Sequence, residues 1–173
     1  MRHAVIVTAA VLAISAPAFA QTQKSGDRAF VMKVAEGGLA EVELGKLAAQ
    51  NGQSDEVKKF GQRMVDDHGK ANDELKALAQ QKNITIPTDL NAKDKALRDT
   101  LASLKGARFD REYMHAMLTD HQKDVAAFRA ESKSGKDPDV KAWAGKTLPT
   151  LEEHLKHARD ANRAVGTSGT LKK

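Results

Sequence analysis

The chain has 173 residues, no cysteine, and 28 lysines and arginines against 23 aspartates and glutamates, a formal charge of +5. That length suits one domain with one modest core, held by packing alone because no disulfide can form. Acidic and basic residues alternate along the same segments and only 4% of residues are aromatic, so a nucleic-acid binder, with clustered positives and stacking platforms, is disfavoured.

Residues 1–20 read as a secretory signal peptide: Arg2 and His3 precede an apolar run from Ala4 to Ile14, and Ala18-Phe19-Ala20 is a small-x-small cleavage pattern. That run is too short for a stable membrane anchor, and nothing later approaches the roughly 20 apolar residues a spanning helix needs. Cleavage after Ala20 places a mature chain beginning at Gln21 in the periplasm, with no transmembrane segment. Losing Arg2 lowers the charge to +4.

A first long helix is expected from Asp27, as its N-cap, to about Gln50, where Asn51-Gly52 stops it. Ser54 caps a second, whose stripe runs Val57, Phe60, Met64, His68, Ala71, Leu75 and Leu78 and which ends near Asn83, before Pro87. A connection of about 20 residues follows, with a short helix over Ala92–Leu104 closed by Gly106. Phe109-Asp110 opens a third long helix reaching about Ser132. Ser134 to Pro138 forms a turn whose proline suits the first turn of a helix. The last helix carries Val140, Ala144, Thr147, Leu151, His154, Ala158, Ala161 and Val165 on one face, kinked at Pro149. Gly166 to Lys173 reads as a disordered tail.

Four long amphipathic helices can bury their stripes only against one another, so the expected fold is all-α, a four-helix bundle over residues 27–165. The long, partly helical connection between the second and third can cross the length of the bundle, making those two helices parallel as in ferritin-like folds. An up-down-up-down order is the other arrangement consistent with the pattern.

Polar residues on apolar faces cost free energy unless something satisfies them. His68, His121 and His154 each interrupt a stripe near the helix midpoint, and Glu41 falls in register with Phe30, Val34, Leu44 and Ala48. Counted from the two short turns, the four lie at levels that match within about 6 Å at 1.5 Å per residue. One carboxylate and three imidazoles, one from each helix, make a candidate metal site, with Asp67 and Asp120 as further ligands or supports. Iron, zinc and copper all accept such donors. Met64 and Met117, one turn before His68 and His121, would suit Cu(I), though methionine on an apolar face is commonly core filler. Glu112-x-x-His115 has the spacing of a di-iron motif, but a di-iron site wants that motif on two helices and only one copy occurs. Met64-Val65-Asp66-Asp67-His68 is echoed by Met117-Leu118-Thr119-Asp120-His121, which suggests equivalent roles for the second and third long helices about a pseudo-twofold axis.

Four separated motifs carry a family resemblance: Gly37-Gly38-Leu39-Ala40-Glu41-Val42-Glu43-Leu44-Gly45-Lys46-Leu47-Ala48; Phe60-x-x-x-Met64-Val65-x-Asp67-His68; Phe109-Asp110-x-x-Tyr113-x-x-x-Met117-x-x-Asp120-His121; and Leu148-Pro149-x-Leu151-x-x-His154-Leu155. Together they resemble the DUF4142 family over about Asp27 to Val165. The resemblance implies an exported bacterial protein of ferritin-like helical type and places Glu41, His68, His121 and His154 within the family's own pattern. It supplies neither a metal nor a reaction. The outer-membrane label often given to members fits poorly, because no β-barrel alternation is visible.

Two functions compete at this level. One is a periplasmic metal-binding protein with Glu41, His68, His121 and His154 as ligands, serving envelope stress or metal and redox homeostasis. The other is a metal-free interaction or stress-protection module with structural histidines. An enzyme using a nucleophile is disfavoured: there is no cysteine, no glycine-rich phosphate loop and no Gly-x-Ser-x-Gly.

Overall fold

The computed structural model describes the backbone of residues 18–168 and the side chains of 26–166. Most of the expected leader, and the end of the expected tail beyond 168, lie outside the described residues. Five helices occur in order: α1 (Ala18–Asn51), α2 (Asp55–Gln81), α3 (Ala92–Ser103), α4 (Gly106–Ser134) and α5 (Pro138–Ser168). No strand occurs among the described residues, and no helix there is long and apolar enough to cross a membrane.

Each short turn folds its neighbours into an antiparallel hairpin, α1 against α2 and α4 against α5. The Ser54 hydroxyl accepts the Val57 N–H at 3.2 Å, satisfying one orphan donor of α2 as its N-cap. Within the first hairpin, α1 and α2 cross at two glycines. A Cβ on Gly45 would stand 2.7 Å from the Gly61 carbonyl oxygen, and one on Gly61 would stand 2.7 Å from both the Gly45 carbonyl and the Ala48 methyl. Only glycine allows that approach, and it brings the face carrying Glu41 onto the face carrying His68.

The hairpins are clasped by two buried aspartates. Asp110, in the first turns of α4, accepts the backbone N–H groups of Gln53 and Ser54 at 2.8 and 2.9 Å, tying down the α1–α2 turn. Asp27, on α1, accepts those of Lys136 and Asp137, the latter at 2.6 Å, tying down the α4–α5 turn. The expected N-cap role of Asp27 is therefore corrected. Its helix begins upstream at Ala18, and its carboxylate serves a turn in the other hairpin. Asp110 likewise caps a turn across the molecule rather than its own helix, and Gly106, expected to close the short helix, instead opens α4 with a φ of 59°. Pro149 lies inside α5 without ending it, and α5 continues to Ser168, past the expected end at Val165.

This reciprocity relates α1 to α4 and α2 to α5, and Asp27-Arg28-x-Phe30 matches Asp110-Arg111-x-Tyr113 in sequence. The echo between the segments ending in His68 and His121 joins helices outside that relation, so it does not mark equivalent positions of the two hairpins. The caps also fix direction. α4 starts beside the α1–α2 turn, while the end of α2 lies beside the start of α5, where Lys82 pairs with Asp137 and Asp139 at 2.8 and 2.6 Å. The connection carrying α3 therefore runs from one end of the molecule to the other, touching α1 and α4, and leaves α2 and α4 parallel. An up-down-up-down order is excluded.

The core divides into two apolar clusters. One holds Leu44, Phe60, Met64, Phe109, Tyr113 and Met117 near the α1–α2 turn. The other holds Val31, Leu75, Val125, Phe128, Trp143 and Leu151 toward the opposite end. Between them lies a buried polar layer.

Two measurements test this frame. Gly61→Ala should lower stability by about 1–3 kcal/mol in urea denaturation, because backbone rather than a flexible side chain must give way. Burial, reinforced by the neighbouring charges of Asp27 and Asp137, raises the Glu131 carboxyl to about 7. The folded protein then holds a proton that the unfolded chain releases near 4.5, so this group's contribution to stability is lost as pH climbs from about 4.5 through 7. Glu131→Gln should flatten that part of the stability–pH curve, and an unchanged slope would refute the assignment.

Candidate functional site

The polar layer draws one residue from each long helix: Glu41 from α1, His68 from α2, His121 from α4 and His154 from α5. Glu41 is 3% exposed, His68 6%, and His121 and His154 are wholly buried. The three imidazole centroids form a near-equilateral triangle of 5.2, 5.4 and 5.5 Å, and one nitrogen of each ring lies within 4.8 Å of those of the other two.

Each ring spends one nitrogen on an outer partner. His68 Nδ1 lies 2.9 Å from Glu41 Oε2, within ion-pair distance. His121 Nδ1 donates to the Met117 carbonyl at 2.9 Å. His154 Nε2 donates to Asp67 Oδ2 at 2.8 Å. The Met117 carbonyl and the ionised Asp67 carboxylate can only accept, which puts the proton on His121 Nδ1 and His154 Nε2; with ionised Glu41 beside it His68 carries its proton on Nδ1, leaving His68 Nε2, His121 Nε2 and His154 Nδ1 with bare lone pairs. Those three nitrogens, and Glu41 Oε1, are buried without a hydrogen-bond partner. Asp67 is itself held by Arg63 at 3.2 Å, which reaches Glu153 at 2.7 Å. Carboxylate or carbonyl support behind an imidazole is the arrangement that orients metal-binding histidines.

Burial sets the charge states. It pushes His68 down to about 4 and His154 down to about 3, the latter despite the Asp67 bond, and it lowers His121 as well. All three rings are therefore neutral at physiological pH. Burial raises Glu41 to about 7 against the pull of His121. Burial alone would raise Asp67, but its bonds from His154 and Arg63 prevail and hold it below the usual carboxylate range.

Of the residues expected from sequence, the structure brings together Glu41, His68, His121 and His154, with Asp67 behind His154. Asp120 does not join them; it is partly exposed and lies 3.6 Å from Lys123. Glu112 and His115 are exposed, and Met64 and Met117 pack in an apolar cluster. One residue escaped the sequence reading: Asp124, a turn beyond His121 and half-buried, whose carboxyl is raised to about 8 by desolvation and then by the charges of Glu41 and Asp120. Its signal was the internal repeat, since Asp124 follows Asp110 by the same interval as Glu41 follows Asp27. A cavity of about 30 Å³, room for a water-sized ligand, is lined by Glu41, Asp67, His68, Asp124 and His154.

Three inward-facing neutral imidazoles, each braced from outside, with a carboxylate at their edge, define an all-helical domain with a polyhistidine pocket suited to a cation. The chain belongs to the DUF4142 family, described as a domain of unknown function, whose model matches residues 13–161. No curated protein matches it significantly. Among solved structures it is similar in fold to a DUF305 fragment from Deinococcus radiodurans, at 14% identity and a TM-score of 0.68 over 82% of this chain and 96% of that one. It is also similar to CopM in the Cu(I)-bound form, at 20% identity and a TM-score of 0.66, and in the Cu(II)-bound form, at 18% and 0.67, each over 80% of this chain and 96% of that one.

Nitrogen-15 NMR of the metal-free protein at neutral pH should show three neutral rings, with the proton on Nδ1 in His68 and His121 and on Nε2 in His154. The opposite tautomer at any of them would refute the convergence of lone pairs.

Proposed function

We propose that the protein binds a transition-metal ion in the periplasm through His68 Nε2, His121 Nε2 and His154 Nδ1, with Glu41 Oε1 as fourth donor, and serves envelope metal homeostasis. The observation that carries this reading is the set of three buried ring nitrogens, each left without a partner by the bond on the other side of its ring. Leaving several polar atoms unsatisfied at one buried point costs roughly 1–3 kcal/mol apiece, and a bound cation removes that cost at all of them together. Glu41 Oε1 lies 3.5 Å from His121 Nε2. Two bare lone pairs at that separation repel unless a positive centre stands between them, and the spacing suits neighbouring ligands of one ion.

Neutral imidazoles beside a carboxylate accept iron, zinc or copper, and among divalent ions copper binds such donors most tightly. The fold likeness to copper-bound CopM makes copper the first choice. Asp67 acts here as the support that orients His154, and Asp120 has no ligand role. The parallel placement of α2 and α4, with a crossing connection, favours a ferritin-like four-helix bundle as the scaffold, and the leader over residues 1–20 favours export.

Element analysis of the mature protein, purified without an affinity tag, should find close to one metal ion per chain and almost none after His68→Ala with His121→Ala. Asp67→Asn should keep the fold and weaken metal affinity about 10- to 100-fold. A native protein that stays metal-free after anaerobic reloading would sink this reading and leave the metal-free interaction module with structural histidines.

A further inference from the structure

A cleft of about 150 Å³ opens between α1, α4 and the start of α3. Its carboxylates are Glu36, Asp94, Asp120 and Asp124, all partly exposed, and the buried Glu41. Three lysines also border it, one of them, Lys123, drawn to Asp120, so five acidic groups face three basic ones. Glu41 and Asp124 also line the inner cavity beside His68 and His154. Only this pair and Gly37 are common to both spaces, so they form the wall between surface and imidazoles.

That wall is electrostatically unfinished. No lysine or arginine pairs with Glu41 or Asp124 among the described residues, and Glu41 Oε1, on a side chain 3% exposed, has no hydrogen-bond partner. Two adjacent carboxyl groups, one of them buried, need a proton or a cation between them. On the opposite side of the site, Asp67 is bridged to Arg63 and Arg63 to Glu153.

We propose that this cleft is the loading port for the metal ion, with Asp124 as the residue that passes a divalent cation from the surface carboxylates to Glu41 and the three imidazoles. The inference rests on the metal-binding reading above and adds a route to it. Carboxylates gathered in a cleft concentrate cations there and speed their entry. Asp124 and Glu41 offer oxygen donors that replace the water the ion sheds before it meets nitrogen. Asp124 then acts on the rate of loading, while the imidazoles set the final affinity.

The test mixes metal-free mature protein rapidly with aqueous Cu(II) and follows quenching of Trp143, the single tryptophan, which lines the inner cavity. Saturation is measured separately by equilibrium dialysis. Asp124→Asn should slow loading about tenfold, with one ion still bound at saturation. Asp94→Asn with Asp120→Asn should also slow it and weaken its dependence on salt, whereas Asp66→Asn, exposed on the outer face of α2, should load at the native rate. Native rates in both port variants would overturn the port. A folded Asp124→Asn protein that holds no ion at saturation would make Asp124 a ligand and overturn it too. If Asp124→Asn fails to fold by circular dichroism, the Asp94 and Asp120 variant decides alone. A native protein that takes no Cu(II) or other metal fails the metal-binding reading itself, a result distinct from all of these.

Discussion

Four polar side chains sit at the middle of the core, where each polar atom must be paired or must cost the fold free energy. The molecule satisfies the outward half of that demand completely. Asp67 and the Met117 carbonyl each take one imidazole N–H, and Glu41 stands 2.9 Å from the third ring. The inward half is left open at one point. Residues that packed for stability alone would put leucine or methionine at these positions, as the flanking layers do with Met64, Met117 and Leu151. A core that holds three neutral histidines facing one another contains a polar point that apolar packing does not account for.

That constraint explains features that lie far from the imidazoles. Levels must match across four helices, and an axial slip of a single residue moves a side chain by about 1.5 Å and turns it about 100° around its helix. The glycine crossing of α1 and α2 sets the first hairpin's register. The reciprocal caps of Asp27 and Asp110 then lock one hairpin against the other at both ends. Each cap uses a buried charge to hold two backbone N–H groups, and charged acceptors bind such donors more firmly than neutral ones. The hairpins are thus pinned at the turns and left to meet at the centre, where the site forms.

Glu41 links the site to the surface. Its Oε2 lies 2.9 Å from His68 Nδ1 and its Oε1 3.5 Å from His121 Nε2, and the side chain lines both the inner cavity and the acidic cleft. Asp124, its counterpart in the second hairpin, stands beside it. The two hairpins are therefore alike at their caps and carboxylates and unlike in their histidines. Gly38 occupies on α1 the position that His121 holds on α4, and a Cβ there would run into the side chain of Asn72. The pseudo-twofold frame carries a site that is not itself symmetric.

The sequence by itself determined the four long helices, because their apolar residues recur at three- and four-residue steps and their turns carry Asn-Gly, Ser-Gly and proline. It also singled out Glu41, His68, His121 and His154, since a polar residue inside an apolar stripe is visible without coordinates. What it missed depends on pairing across the chain. Asp27 looks like the cap of its own helix and Asp110 like the opening of its own, because local pattern cannot show partners 110 and 57 residues away. Asp124 looks like one more charge on a charged helix until the packing of α1 against α4 buries it beside Glu41. The direction of the crossing connection, the tautomer of each histidine and the separation of Asp120 from the site were decided only by the tertiary structure. Each depends on which backbone or carboxylate a side chain meets after the helices have packed, and helical periodicity states which face a residue lies on but not what stands opposite.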